Sequence, residues 1–173
     1  FGGKRVLMRV DFNVPQDDSG AITDDTRIRR ALPTIQHIIG QGGRLVLISH
    51  LGRPKGEDPK LRMDVVAARL SDLMGAPVRK MDACVGPEVE QAVAEMSDGD
   101  MVLLENARFY KEEKAGDEDF AAKLGALGEI YVSDAFGTAH RADTSVVGAA
   151  KAVGKAAAGF LMLKEIDFLG KAL

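Results

Sequence analysis

The stretch Ile130-Tyr131-Val132-Ser133-Asp134-Ala135-Phe136-Gly137-Thr138-Ala139-His140-Arg141 changes character within a few residues. Ile130 to Val132 is an apolar run bounded as a buried strand is. Beyond it, Gly137 lets a backbone pass close to a ligand, Thr138 offers a hydroxyl, and His140 and Arg141 offer donors to an anion. A strand that ends this way is expected to form one wall of a phosphate or carboxylate site.

Other runs are built similarly. Arg5 to Phe12 is rich in strand formers (Val6, Leu7, Met8, Val10), ends in Asp11 and Asn13, and is stopped by Pro15. Leu45 to Ile48 leads into Ser49-His50-Leu51-Gly52-Arg53-Pro54. Val78 to Met81 is weaker, and Met101 to Leu104 ends in Glu105-Asn106-Ala107-Arg108. Helical spacing lies between these runs. Ile28, Leu32, Ile35 and Ile39 follow the N-cap candidates Thr23, Asp24 and Asp25. Val65, Val66, Leu70, Leu73 and Met74 follow Asp64 as a cap and stop at Gly75. Val89 and Val93 follow Pro87, while Phe120, Leu124 and Leu127 mark another helix. Ser145 to Val153 reads as a short helix, and Phe160 to Leu173 as a final one.

Helices alternating with nearly continuous apolar strands predict an α/β fold. The expected form is a three-layer α/β/α, Rossmann-like domain with a mainly parallel sheet of about five or six strands. Residues 1–158 form that domain, Gly154 to Gly159 is the boundary candidate, and 159–173 begin a helix leaving it. A start at Phe1 and an end inside a helical pattern read as a piece of something longer.

A net charge of −3 gives nonspecific nucleic-acid binding no electrostatic support, so any anion must be held by a local cluster. One cysteine, Cys84, excludes an internal disulfide and a Cys-based zinc site. No apolar run approaches the ~20 residues of a membrane span, and neither membrane nor nucleic acid is an expected partner.

Ligands of open α/β sheets bind beyond the carboxyl ends of the strands. A parallel sheet would therefore gather Asp11, Asn13, His50, Arg53, Arg108, Thr138, His140 and Arg141 on one edge. Arg27 joins them, because the helix after the first strand begins there. A cation at a helix N-terminus opposes the macrodipole by about 0.3–1 kcal/mol. A ligand anion would account for Arg27, and so would a pair with Asp24 or Asp25. Arginine's fixed fork suits phosphate and carboxylate oxygens, whereas Asp11 and Asn13 would orient arginines or accept from a hydroxyl. The expected ligand is small and carries a phosphate, a carboxylate and a hydroxyl.

Other chemistries lack their signals. There is no G-x-x-x-x-G-K-[ST] loop, and Gly40-Gln41-Gly42-Gly43 precedes a strand rather than following one. His37, His50 and His140 have no metal-ligand spacing, so no metal site is expected, and His37 belongs on a helix surface. Ser49 beside His50 is discounted as a nucleophile, because strand neighbours point to opposite faces.

The motifs together resemble phosphoglycerate kinase. Arg9-Val10-Asp11-Phe12-Asn13-Val14-Pro15, Ser49 to Pro54, Leu104-Glu105-Asn106-Ala107-Arg108-Phe109-Tyr110 and Asp134 to Arg141 occur in that family's order. Gly159-Phe160-Leu161-Met162-Leu163-Lys164-Glu165 extends the match over essentially the whole chain. The resemblance implies a cytoplasmic, monomeric, two-domain glycolytic enzyme. It moves a phosphoryl group between 1,3-bisphosphoglycerate and ADP, giving 3-phosphoglycerate and ATP with Mg²⁺. This chain matches the N-terminal, phosphoglycerate-binding half. Mg-ATP or Mg-ADP would be held by the C-terminal half, leaving this chain without a cofactor, and the helix from 159 would join the halves.

By the same resemblance, Asp11, Asn13 and the backbone around Phe12 contact the glycerate end. His50 and Arg53, with Leu51 and Gly52 in the turn between them, hold the 3-phosphate together with Arg108 and Arg141. Arg27, in an Ile-Thr-x-x-x-Arg-Ile pattern, matches the catalytic arginine. Gly137 and Thr138 form a close-approach turn, and His140 supports the arginines. Ser133 and Asp143 depart from the family's usual Asn and His. Two other readings are a catalytically inactive anion-binding module and half of a Rossmann-type dehydrogenase; the missing dinucleotide fingerprint predicts no NAD binding.

Overall fold

Arg5–Val10 (β1) is apolar except at Arg5 and Arg9, and it pairs in parallel with a neighbour on each side. In the computed structural model, which describes residues 1–173, it lies inside a six-stranded, all-parallel sheet. The other strands are Arg44–Ile48 (β2), Val78–Lys80 (β3), Met101–Leu103 (β4), Ile130–Asp134 (β5) and Ala156–Ala158 (β6), in the order β3-β4-β2-β1-β5-β6. The helices are Thr26–Gly40 (α1), Asp64–Met74 (α2), Pro87–Ala94 (α3), Lys111–Ala115 (α4), Glu118–Gly125 (α5), Ala149–Val153 (α6) and Phe160–Ala172 (α7).

Side chains alternate along a strand, so β1 feeds both faces. Val6, Met8 and Val10 pack with Ile28, Ile35 and Ile38 of α1 and with Val66 and Leu70 of α2. Leu7 packs on the opposite face, in the layer that holds Val89 and Val93 of α3 and Phe120 and Leu124 of α5. Burying each such large apolar side chain stabilises the fold by about 1.5–3 kcal/mol. The three-layer α/β/α reading therefore holds, with all six strands parallel.

Four local expectations are revised. The first strand stops at Val10 instead of Phe12. Asp64 is the first residue of α2 and Met63 its cap position, the Met63 N–H being taken by the Glu105 carboxylate. The segment read as one short helix from Ser145 begins as a π-turn, Thr144–Gly148, and becomes α-helical only at Ala149. Gly154 to Gly159, where the apolar pattern reads no strand, contains β6. Its three alanines are exposed helix formers, and only pairing beside β5 makes them a strand.

The last helix is pinned to the sheet where it starts. The Gly159 N–H donates to the Ser133 carbonyl at 2.8 Å, and Phe160 N–H donates to Thr34 Oγ1 at 3.0 Å. Asp134, fully buried at the end of β5, accepts from Met162 N–H at 3.2 Å. A carboxylate beside a helix N-terminus is stabilised by the helix dipole. Glycine is required at 159, since a Cβ there would lie 2.2 Å from Asp134 Oδ1. Gly159→Ala should therefore lower stability by about 1–3 kcal/mol. Urea unfolding checks this; an unchanged midpoint would remove the Asp134 seat from the fold's anchors.

Candidate functional site

The sheet order puts β2 and β5 on opposite sides of β1, so chain connections diverge there and leave a crevice beyond the strands' carboxyl ends. Asp11 and Gly137 meet in that crevice: a Cβ built on Gly137 would lie 3.2 Å from Asp11 Oδ2. The cleft beside them has a volume of about 210 Å³ and is lined by Asp11, Arg27, Phe136 and Gly137 together with Leu161 and Glu165 of α7.

Arg27 pairs with neither of the two acids that precede it on the chain. Asp25 is taken by Arg29 and Arg69, and Asp24 caps Thr26, so neither holds Arg27. The half-exposed Arg27 guanidinium reaches over the end of β1 instead, donating to the Asn13 carbonyl at 2.8 Å and lying 3.4 Å from Asp11 Oδ1.

The second strand end is shaped by Asn106. Its amide accepts from Leu51 N–H and donates to the carbonyls of Leu51 and Leu61. Asn106 is itself steadied by Glu105, a buried carboxylate bonded to the backbone N–H of Asn106 and to the Lys80 ammonium. Gly52 adopts φ +65°, and a Cβ there would lie 2.8 Å from the Leu61 side chain. Its N–H donates to Asn13 Oδ1 at 2.8 Å, and its carbonyl accepts from Arg108 Nη1 at 3.1 Å. Leu51 thus spends its polar groups on Asn106, and Gly52 spends its own on Asn13 and Arg108. The Phe12 N–H is likewise taken by Ser49 Oγ at 2.9 Å, which gives Ser49 a structural place.

His50 lies among the cations. Its Nδ1 is 2.8 Å from Arg9 Nη2. Arg9, on the sheet face shared with Leu7, is fully buried. It also donates to Ser145 Oγ at 3.0 Å and to its neighbour's carbonyl, Val10 O. Ser145 in turn bonds the buried Glu113 carboxylate through both Oγ and its backbone N–H. Burial raises the pKa of Glu113, while the Ser145 hydroxyl and the Arg9 charge oppose that rise. Burial first, and then the charges of Arg9, Arg108, Arg141 and Arg27, lower His50 from 6.5 to about 2.

Arg108 is nine-tenths buried, and its Nε finds no partner. Burial and then the charge of Arg141 depress its pKa. The charges of Asp143, whose buried Oδ2 is also unpartnered, and of Glu113 oppose them. Arg141, Arg53 and His140 are exposed. Thr138 is buried, and its hydroxyl closes its own turn onto the Ala135 carbonyl at 3.1 Å, so it is not offered to a ligand.

Asp11, Asn13, Arg27 and Arg108 are thus linked at one edge by direct hydrogen bonds or through Gly52, and His50 lies within reach of the Arg27 and Arg108 charges. Arg9, Glu113, Ser145 and Asn106 are the additions. Arg9 carried a legible signal, a charge inside the apolar run Val6-Leu7-Met8-Arg9-Val10. Glu113 and Ser145 carried none, since one lies in an acidic stretch and the other in a turn far along the chain.

A family model described as phosphoglycerate kinase matches residues 1–173. The chain belongs to that family. It is 59% identical to the phosphoglycerate kinase of Gloeobacter violaceus and 57% identical to that of Dictyoglomus turgidum, each over 171 residues. These matches take in 99% of this chain but only 42% and 43% of the relatives, so the chain spans less than half of their length. Solved phosphoglycerate kinases from Coxiella burnetii (TM-score 0.87, 37% identity) and Pyrococcus horikoshii (TM-score 0.90, 36% identity) superpose on 99% of it. Here too the match covers only 43% and 44% of those chains.

In this member of the phosphoglycerate kinase family, His50 makes stability depend on pH. The folded chain keeps it neutral down to about pH 2, whereas the unfolded chain takes up its proton near 6.5. Its contribution is therefore complete above about pH 6.5 and is lost as the pH falls through that window, by about 1.4 kcal/mol per pH unit at most. Urea unfolding at pH 7, 6 and 5 should show wild type losing stability more steeply than His50→Gln; parallel slopes would refute it.

Proposed function

We propose that this chain is the 3-phosphoglycerate-binding half of a phosphoglycerate kinase that moves a phosphoryl group between 1,3-bisphosphoglycerate and ADP. The observation that carries the reading is the state of Arg108 and Arg141. Each sits within reach of the other's charge, and neither forms an ion pair. A substrate phosphate would answer both, with His50 as a neutral donor beside them and Arg53 reaching in from the rim. The glycerate end would then lie toward Asp11 and Asn13, in the crevice between β1 and β5.

Arg27 stands at that end, and phosphoryl transfer gives it a task. The substrate carboxylate is already ionised, so it attacks the terminal phosphorus of ATP without a general base. A carboxylate–phosphorus bond forms as the bond to the ADP oxygen breaks. Charge spreads over the equatorial oxygens, and a placed guanidinium stabilises it.

The strand-end cluster does not suit Mg²⁺. Its near carboxylate, Asp11, is engaged by Arg27 and by Asn13 N–H, and arginines surround it. The proposal therefore assigns magnesium and nucleotide to the remainder of the enzyme. Residues 159–173 are taken as the start of the helix joining the halves; Leu163, Ile166, Phe168 and Leu169 of α7 are exposed. No helix is long and apolar enough to cross a membrane, and a monomeric cytoplasmic enzyme is part of the same proposal.

Steady-state kinetics and calorimetry test these roles in the full-length enzyme. Arg27→Ala should lower kcat by about 10²–10³-fold with a smaller change in KM. Arg141→Ala should weaken 3-phosphoglycerate binding by about tenfold or more, the loss of a charged hydrogen bond. An unchanged kcat would take Arg27 out of the transition state, and an unchanged affinity would take Arg141 off the phosphate. Residues 1–173 alone should bind 3-phosphoglycerate in calorimetry and turn nothing over, since closing both halves around the substrates completes the site; ATP-dependent turnover by this chain would refute that.

A further inference from the structure

We infer that Glu113, Ser145 and Arg9 form a positioning chain that fixes His50 as the tautomer with its proton on Nε2, aimed at the ligand phosphate. The inference rests on the proposed phosphate site and extends it by three residues that do not touch substrate.

A guanidinium has only donors, so Nδ1 of His50, 2.8 Å from Arg9 Nη2, must accept. The ring proton of a neutral imidazole then sits on Nε2. Nε2 hydrogen-bonds no protein group, and it is not among the buried atoms sealed away without a partner. It is therefore the nitrogen free to meet an anion.

What holds Arg9 so that it can dictate this? Its Nε donates to Ser145 Oγ at 3.0 Å, which leaves the hydroxyl proton for the Glu113 carboxylate. The second Glu113 oxygen accepts from Ser145 N–H at 2.9 Å. Tyr131 OH donates to the Ser145 carbonyl at 2.7 Å and fixes the turn from the sheet side. The π-turn at Thr144–Gly148 brings Ser145 to this point. The order of donors runs one way: Ser145 to Glu113, Arg9 to Ser145, Arg9 to His50. Arg9 can only donate, and Ser145 Oγ has one proton, which goes to Glu113, so the chain has a single polarity and one His50 tautomer. A neutral, oriented N–H then sits beside the arginines without adding a further mutually repelling charge.

The test uses the full-length enzyme labelled with ¹⁵N-histidine, in which long-range ¹H–¹⁵N spectra read the protonation of each ring nitrogen. His50→Gln identifies the signal. Wild type should show His50 protonated at Nε2 and bare at Nδ1. In Ser145→Ala and Glu113→Gln the two nitrogen signals should move toward each other as tautomers exchange, and 3-phosphoglycerate affinity should fall about tenfold. Ser145→Thr, which keeps a hydroxyl, should retain the wild-type spectrum. A proton on Nδ1 in wild type would overturn the inference by itself, which decides the matter even if the variants fail to fold. Folded variants with an unchanged tautomer would overturn it alone, leaving the phosphate site standing. An unchanged affinity in His50→Gln would instead remove His50 from the ligand, and this inference with it.

Discussion

A guanidinium with no exposure to water sits on the central strand, and the surrounding structure is built to satisfy it. Leaving a buried charge without partners costs several kcal/mol. Arg9 meets this demand with groups from the end of β2, from its own strand and from the turn after Asp143, and Glu113 of α4 supplies the opposite charge through Ser145. An apolar side chain there would fill the space more simply. A polar one holds α4, the π-turn and the end of β2 in one mutual arrangement, with His50 placed as a consequence. The interaction is structural at Glu113 and faces the candidate ligand at His50.

The second constraint is topological. Because every strand runs the same way, every strand end falls on one edge, and the crevice lies where connections from β1 and β5 diverge. Much of the polar chemistry at this edge is scaffolding. Asn106 fixes Leu51 and Leu61, Gly52 fixes Asn13 and Arg108, and Ser49 fixes Phe12. Residues that touch one another so fully have few groups left for a ligand. The guanidiniums of Arg27, Arg108 and Arg141 and the Nε2 of His50 are what this arrangement leaves available.

The fold was legible where side-chain periodicity is set by burial on both faces. The runs at β1, β2, β4 and β5 are apolar because helices cover them on each side, and that pattern exists within the strand itself. β6 was not legible, since Ala156 to Ala158 are exposed and become a strand only through pairing with Tyr131 to Ser133. The start of the helix after Asp143 was misjudged for a related reason: a π-turn has the composition of a helix, and Ser145 enters it through bonds to a distant carboxylate.

Of the site, the residue types and their strand-end positions came from the chain alone, because an arginine or histidine directly after an apolar strand is a local fact. The partner of each did not. Arg27 could have paired with Asp24 or Asp25 by proximity, yet Asp25 goes to Arg69, which is 44 residues away. Arg9 and Ser145 are separated by 136 residues. Sequence determines which groups must be buried and which can bind an anion; how they answer one another is decided only when folding brings segments without local signals within hydrogen-bonding distance. The strongest of these interactions are those that burial leaves no water to replace.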